Sequence, residues 1–146
     1  MPTFVPFTSD DEILKIGRGL MDRTLPKVEW THAAHFAVTI WLLTNNAKIH
    51  VAQELPCAIR AYNEATGVAN TDTSGYHETI TQASIRGAES FVSQSRRQPL
   101  VAICNALMAS PLGSPKWLLT YWSHSRLFSV EARRVWLDPD VKALPF

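Results

Sequence analysis

The hydrophobic positions of this chain recur mostly at the three- and four-residue spacing of α-helices, and few segments alternate as strands do. Capping and breaking residues divide the pattern into segments. We predict helices over residues 10–24, 30–45, 50–66, 76–94 and 99–109, and shorter helices over 116–121 and 129–136. Residues 1–8 are predicted to be an extended lead-in, and residues 138–146 a tail that contains prolines.

Local signals set several of these boundaries. Ser9 precedes three acidic residues, as expected for a helix N-cap, and Pro26 closes the first segment. The second segment, capped by Thr31, is apolar at almost every position, so we expect it to be the most buried helix. Pro56 indicates either a kink in the third helix or the start of a shorter one, and Gly67 ends that helix.

These elements predict an all-α fold, a compact bundle of five to seven helices. The chain has 146 residues, a length at which one domain with one core is expected. Apolar residues make up 46% of it, which is enough for a substantial core. We therefore expect residues 1–146 to form a single helical domain.

Charge and cysteine content narrow the function classes. The net charge is +1 and basic residues do not cluster, so we expect neither nucleic acid nor an anionic membrane as a partner. No apolar segment approaches the roughly 20 residues of a membrane span, and the N-terminus lacks the features of a signal peptide. Cys57 and Cys104 lie in predicted helices and are expected to be buried free thiols. These features favour a cytoplasmic protein.

Histidines mark the first candidate site. His32 and His35 lie one helical turn apart and share a face of the second helix with Phe36 and Thr39. His77 and Glu78 stand at the start of the fourth helix, where His77 shares the face that we expect to be buried. If the N-terminal ends of these two helices pack together, the three imidazoles converge.

Three interpretations of these histidines remain open. His32, His35 and His77 are a suitable ligand set for zinc or a similar divalent transition metal with one position open to water. Alternatively, they are structural groups whose hydrogen bonds join helices. In the third interpretation, a metal-free pocket uses His77 or His32 as an acid or base, with Glu78 as a base or supporting carboxylate.

Two further segments carry candidate ligand-binding residues. The loop over residues 70–75 precedes a helix N-terminus and either binds an anionic or carbonyl oxygen or caps that helix through Thr73 or Ser74. Asp72, in this loop, is an alternative partner that orients a histidine. Nearer the C-terminus, Arg126 follows an aromatic and hydroxyl cluster and is a candidate anion clamp. The candidate pocket residues of both segments, together with the second helix, are Trp30, Asp72, Tyr76, Tyr121, Trp122, Ser123 and Arg126.

The chain resembles a family of small bacterial proteins with no established activity. The resemblance rests on Trp-Thr-His-x-x-His at 30–35, Asn-Thr-Asp-Thr-x-Gly-Tyr-His-Glu-Thr at 70–79 and Arg-Leu-Phe-Ser-x-Glu-Ala-Arg at 126–133. It spans about residues 25–140. The family pattern has an acidic residue between the two histidines, at a position that Ala33 fills here. The resemblance supplies candidate positions and no mechanism.

Two functional hypotheses follow. The first is an enzyme that acts on a small organic molecule in a His-lined pocket, with a metal or by acid/base chemistry. The second is a non-catalytic module that binds a ligand or another protein, with structural histidines and exposed aromatic residues that contact a partner or a second copy of the chain. Histidines open to a cavity favour the first hypothesis, and histidines sealed against carbonyl groups favour the second.

Overall fold

Helices account for all the regular secondary structure that the computed structural model describes, which covers residues 4–45, 49–95 and 97–146. The α-helices are α1 (Asp10–Asp22), α2 (His32–Asn45), α3 (Val51–Ala65), α4 (Glu78–Gln94), α5 (Leu100–Ala109), α6 (His124–Leu127) and α7 (Val130–Arg134). Short 3-10 helices occupy Lys27–Glu29, Pro111–Gly113 and Trp117–Thr120. The predicted all-α bundle is confirmed.

The centre of the bundle is α2, as its apolar sequence predicts. It packs against α1, α3, α4 and α5, and its residues from Phe36 to Ile40 are all buried. Thr31 caps it by accepting a hydrogen bond at 3.1 Å from the backbone N–H of Ala34. Because this central helix begins at His32, its first turn contains both His32 and His35.

Helix boundaries differ from the predicted ones by a few residues. α1 ends at Asp22, before Pro26, because Arg23 adopts a left-handed conformation and its N–H bonds to the carbonyls of Gly19 and Leu20. α3 continues through Pro56 rather than starting there, and Gly67 follows its end with φ +84°. The short helix α6 was not predicted. The predicted helices end at residue 121 and resume at 129, so α6 falls between them.

The N-terminal segment from Phe4 onward and the C-terminal segment both pack against the bundle. The side chain of Asn105 pairs with the backbone of Phe7 through hydrogen bonds of 2.9 and 3.0 Å, which fixes the described part of the lead-in on α5. At the other end, Phe146 packs near Trp117, with ring centroids 6.2 Å apart. Residues 1–3 of the predicted lead-in lie outside the described residues.

The two cysteines differ in their exposure to solvent. Cys104 is buried, and burial raises the pKa of its thiol to about 12, so it stays protonated. Cys57 is exposed, which makes the prediction of a buried thiol wrong at that position. It lies on α3 at a position that faces away from the core. In the described part of the chain, no helix is long and apolar enough to cross a membrane.

Candidate functional site

Two cavities meet at the N-terminal end of α2. The larger, of about 610 Å³, lies between α2, α4 and residues 115–128. The smaller, of about 370 Å³, lies between α2, α3 and the start of α4. Both are lined by the same four residues, Trp30, His35, Ile80 and Ser84. A third cavity of about 430 Å³, under Phe4 and Phe7, shares His32 with the larger one.

His35 is the titratable group at the junction of the first two cavities. Its imidazole stacks on Trp30, with ring centroids 3.8 Å apart and an interplanar angle of 24°. Burial, followed by the nearby His32, lowers the pKa of His35 to about 3, so the ring is neutral near pH 7. Among the described residues, neither of its ring nitrogens has a hydrogen-bond partner. His35 is therefore a neutral donor and acceptor available to a bound molecule.

Trp30 is held from behind by a second aromatic residue. The ring of Tyr62 meets it edge-on at 5.6 Å, and the Tyr62 hydroxyl donates a hydrogen bond of 2.8 Å to the carbonyl of Leu25. Tyr62 is 1% exposed, so this support is rigid. The stacked pair of Trp30 and His35 is thus positioned before any ligand arrives, and the prediction that Trp30 lies beside these histidines is consistent with this geometry.

His32 lies in the same cavity but already has a partner. Its Nε2 donates a hydrogen bond of 2.9 Å to the carbonyl of Leu112, which joins α2 to the 3-10 helix after α5. Its ring also meets Phe36 edge-on at 5.2 Å. His32 therefore combines a structural role with a place on the cavity wall.

His77 has both ring nitrogens occupied. Nδ1 accepts a hydrogen bond of 3.2 Å from the N–H of Ile80, which makes His77 the N-cap of α4. Nε2 donates one of 2.7 Å to the carbonyl of Leu127. The side chain is only 7% exposed, and burial lowers its pKa although the bond to Leu127 opposes that shift. His77 lines the smaller cavity as a sealed, neutral structural group.

No described group of three or more His, Cys, Asp or Glu side chains is arranged to share a metal ion. His32, His35 and His77 lie around the two joined cavities, but His77 offers no free nitrogen in this conformation. The metal centre predicted from the sequence stays a prediction without support from the geometry of these residues.

Glu78 pairs with a tyrosine rather than with a histidine. Its Oε1 accepts a hydrogen bond of 2.6 Å from the Tyr76 hydroxyl and one of 3.3 Å from the amide of Gln82. Burial and Glu78 raise the pKa of Tyr76, whose ring lies 4.4 Å below the guanidinium carbon of Arg60. Tyr76 lines the smaller cavity, but its hydroxyl already donates to Glu78.

The loop before α4 is held together by Asn70. The Asn70 side-chain oxygen accepts hydrogen bonds of 3.0 Å from the Asn63 amide and from the N–H of Tyr76. Gly75 has φ +79°, and a Cβ there would lie 2.6 Å from the Asn70 oxygen, so this turn requires glycine. α4 is capped, but by His77, so the predicted cap at Thr73 or Ser74 is wrong.

The loop and the C-terminal segment lock onto each other. Asp72 forms a surface ion pair with Arg134 at 2.6 Å instead of orienting a histidine. Arg133 donates to the carbonyls of Gly75 and Tyr76 at 2.9 and 3.2 Å. Thr79 donates to the carbonyl of Val135 at 2.9 Å and accepts from the N–H of Leu137 at 3.1 Å. The motifs at 70–79 and 126–133 thus meet in one structural contact.

The remaining candidates hold the C-terminal tail. The hydroxyl of Ser123 donates a hydrogen bond of 2.6 Å to Asp140, and Nε of Arg126 donates one of 2.7 Å to the carbonyl of Asp138. Trp122 is fully buried and donates to the carbonyl of Leu137 at 2.9 Å. The carbonyl of Tyr121 accepts from the N–H of Val141 at 2.9 Å. None of these four residues lines the cavities that meet at α2.

Other residues form the wall opposite His35, and they were not predicted. The rest of the larger cavity is lined by Lys116, Trp117, Leu118, Leu119, His124, Leu127 and Phe128. In the sequence, Trp117 and its neighbours resemble any short amphipathic segment. Only the folding of the 110–128 connection over α2 and α4 brings them to the histidines, so no local signal identifies them.

Comparison with models of protein families, with curated proteins and with solved structures found no match to this chain. Any functional conclusion therefore rests on the geometry of the cavities.

Proposed function

We propose that the protein binds a small, mainly apolar molecule in the larger cavity, with the neutral imidazole of His35 as its hydrogen-bonding partner. The observation that supports this most directly is the placement of His35. Its ring nitrogens have no partner among the described residues, yet the ring lines both cavities and is fixed by stacking on Trp30. The His35 side chain is only partly buried, so a molecule in the cavity can reach its ring nitrogens and form hydrogen bonds with them.

The size and the chemistry of the cavity fit such a ligand. Its volume of about 610 Å³ lies within the range of roughly 300–1,000 Å³ typical of small-molecule sites. Most of its wall is aromatic or aliphatic, with Phe36, Trp117 and Leu127 as large contributors. A mostly apolar wall with a few fixed polar groups favours binding through buried apolar surface, and the polar groups then set the orientation.

The proposal corresponds to the non-catalytic hypothesis from the sequence. His32 and His77 bond to backbone carbonyls, which is the arrangement expected of structural histidines, whereas His35 opens into both cavities, as the enzyme hypothesis expects. Acid/base catalysis stays an untested alternative. A pKa of about 3 leaves almost no protonated His35 near neutral pH, so chemistry at this residue has to use the neutral ring.

Calorimetric titration with 2-naphthol tests the proposal, because this probe combines an apolar two-ring body with one hydroxyl group. We expect the wild-type protein to bind it and His35→Phe to bind it roughly 2- to 12-fold more weakly, the value of one neutral hydrogen bond of about 0.5–1.5 kcal/mol. Phenylalanine keeps a planar ring under Trp30 and removes both nitrogens, so the comparison isolates the hydrogen bond.

A matched pair on α4 tests the location. Ser84 lines both cavities, whereas Ser93 is exposed further along the same helix. Ser84→Leu places a larger side chain in the cavity and is expected to weaken probe binding at least as much as His35→Phe does. Ser93→Leu is expected to leave binding unchanged. If the wild-type protein does not bind the probe at millimolar concentration, or if Ser84→Leu binds it as well as Ser93→Leu does, the proposal is wrong.

A further inference from the structure

We infer that the ligand of the larger cavity is an anion, an aromatic or aliphatic carboxylate whose charged group lies at the rim between Lys116 and His124. This inference rests on the proposed function, since it names the ligand class for the same cavity. It depends on the charges of the cavity wall, which the binding proposal does not use.

The wall of the larger cavity carries bases and no acids. Its titratable side chains are His32, His35, Lys116 and His124. The chain has 13 Asp and Glu residues, and all of them lie among the described residues. Not one lines the larger cavity, the smaller one or the cavity under Phe4. A cationic ligand would find no counter-charge here, whereas an anion meets a favourable potential.

The bases occupy two depths. His35 lies inside, where burial keeps it neutral. Lys116 and His124 are both exposed and also line the cavity, so they stand where it opens to solvent. They come from separate elements, just before the 3-10 helix at Trp117 and at the first residue of α6. A lysine and a second hydrogen-bonding base at the mouth, with an apolar interior, are complementary to a molecule with an apolar body and one anionic end.

Lys116 is available for this contact. In the described part of the chain its ammonium group has no ion-pair partner, while Asp72 and Arg134 form the ion pair that is found. The ring of His124 packs against Phe128, with centroids 4.6 Å apart, which holds the imidazole at the rim. Since ion pairing at a solvated rim adds little free energy, we expect it to set selectivity for charge more than overall affinity.

The test compares two probes of the same shape, 2-naphthoate and its neutral isostere 2-naphthamide, by calorimetric titration. We expect the wild-type protein to prefer the carboxylate. Lys116→Met is expected to weaken carboxylate binding roughly two- to fivefold, the range for an exposed ion pair, and to leave amide binding unchanged. Higher salt is expected to weaken carboxylate binding more than amide binding.

Lys15→Met is the matched control, because Lys15 is an exposed lysine on α1 that lines none of these three cavities. It should leave the binding of both probes unchanged. Equal affinity for the two probes, or the same loss in Lys116→Met and Lys15→Met, would overturn the inference and leave the binding function standing. If neither naphthoate, naphthamide nor 2-naphthol binds, the proposed function itself fails.

Discussion

Replacing His77 by alanine tests whether this residue is a structural lock, as its contacts indicate, or part of a reactive site. The substitution removes two hydrogen bonds together. The N–H of Ile80 loses its cap acceptor, and the carbonyl of Leu127 loses its donor. The first bond is local and caps the start of α4, whereas the bond to Leu127 spans 50 residues of chain and joins α4 to α6.

The magnitude follows from these two losses. Removing an N-cap side chain costs about 1 kcal/mol. A backbone carbonyl left without a partner beside a side chain that is 7% exposed costs a further 1–3 kcal/mol or so. We therefore expect His77→Ala to lower the free energy of unfolding by about 2–4 kcal/mol. His77→Asn keeps a capping acceptor and should recover about 1 kcal/mol of that loss.

Urea unfolding followed by tryptophan fluorescence measures these differences in the free energy of unfolding, since Trp122 is fully buried and becomes exposed when the chain unfolds. His50→Ala is the matched control. His50 also occupies an N-cap position, at α3, but it is exposed and its side chain makes no capping bond. Its loss should stay within about 0.5 kcal/mol. If His77→Ala is no less stable than His50→Ala, the structural interpretation of His77 is refuted.

Two further predictions concern stability. Folded His35 stays neutral down to about pH 3, but the unfolded chain binds a proton near its ordinary pKa of 6.5, so stability is complete above pH 6.5 and is lost as pH falls. Between pH 6 and 4.5, we expect His35 to lower the free energy of unfolding by about 1.4 kcal/mol for each unit that the pH falls. His35→Phe should remove this part of the pH dependence, as measured by urea unfolding at several pH values. An unchanged pH dependence would contradict the lowered pKa of His35. Gly17→Ala should lower the free energy of unfolding by about 1–2 kcal/mol, because the new Cβ overlaps the Trp41 ring and this overpacking outweighs the helix propensity of alanine. Gly19→Ala, whose Cβ would lie 3.1 Å from Leu25, should be nearly neutral, and equal effects at both glycines would argue against tight packing between α1 and α2.

The candidate site was predicted only in part. His32, His35 and Trp30 were identified because residues three to five positions apart near the start of one helix lie close in space. Glu78, Asp72, Ser123 and Arg126 were assigned to a pocket because their chemistry suits one, but each has a partner elsewhere. Polar side chains near turns bond to whatever backbone or counter-charge the fold brings within reach, and that choice is not encoded locally.

The sequence by itself determined the helical class, the central position of α2 and most helix ends, since hydrophobic spacing and capping residues act over a few positions. Only the tertiary structure decided which polar side chains have hydrogen-bond partners within the protein. His77 became a lock because Leu127, distant in sequence, presents its carbonyl there, whereas Trp30 stacks on His35 and no described residue bonds to the His35 ring nitrogens. The cavity wall from Lys116 to Phe128 has the same origin, because it depends on contacts between segments that are far apart in the chain.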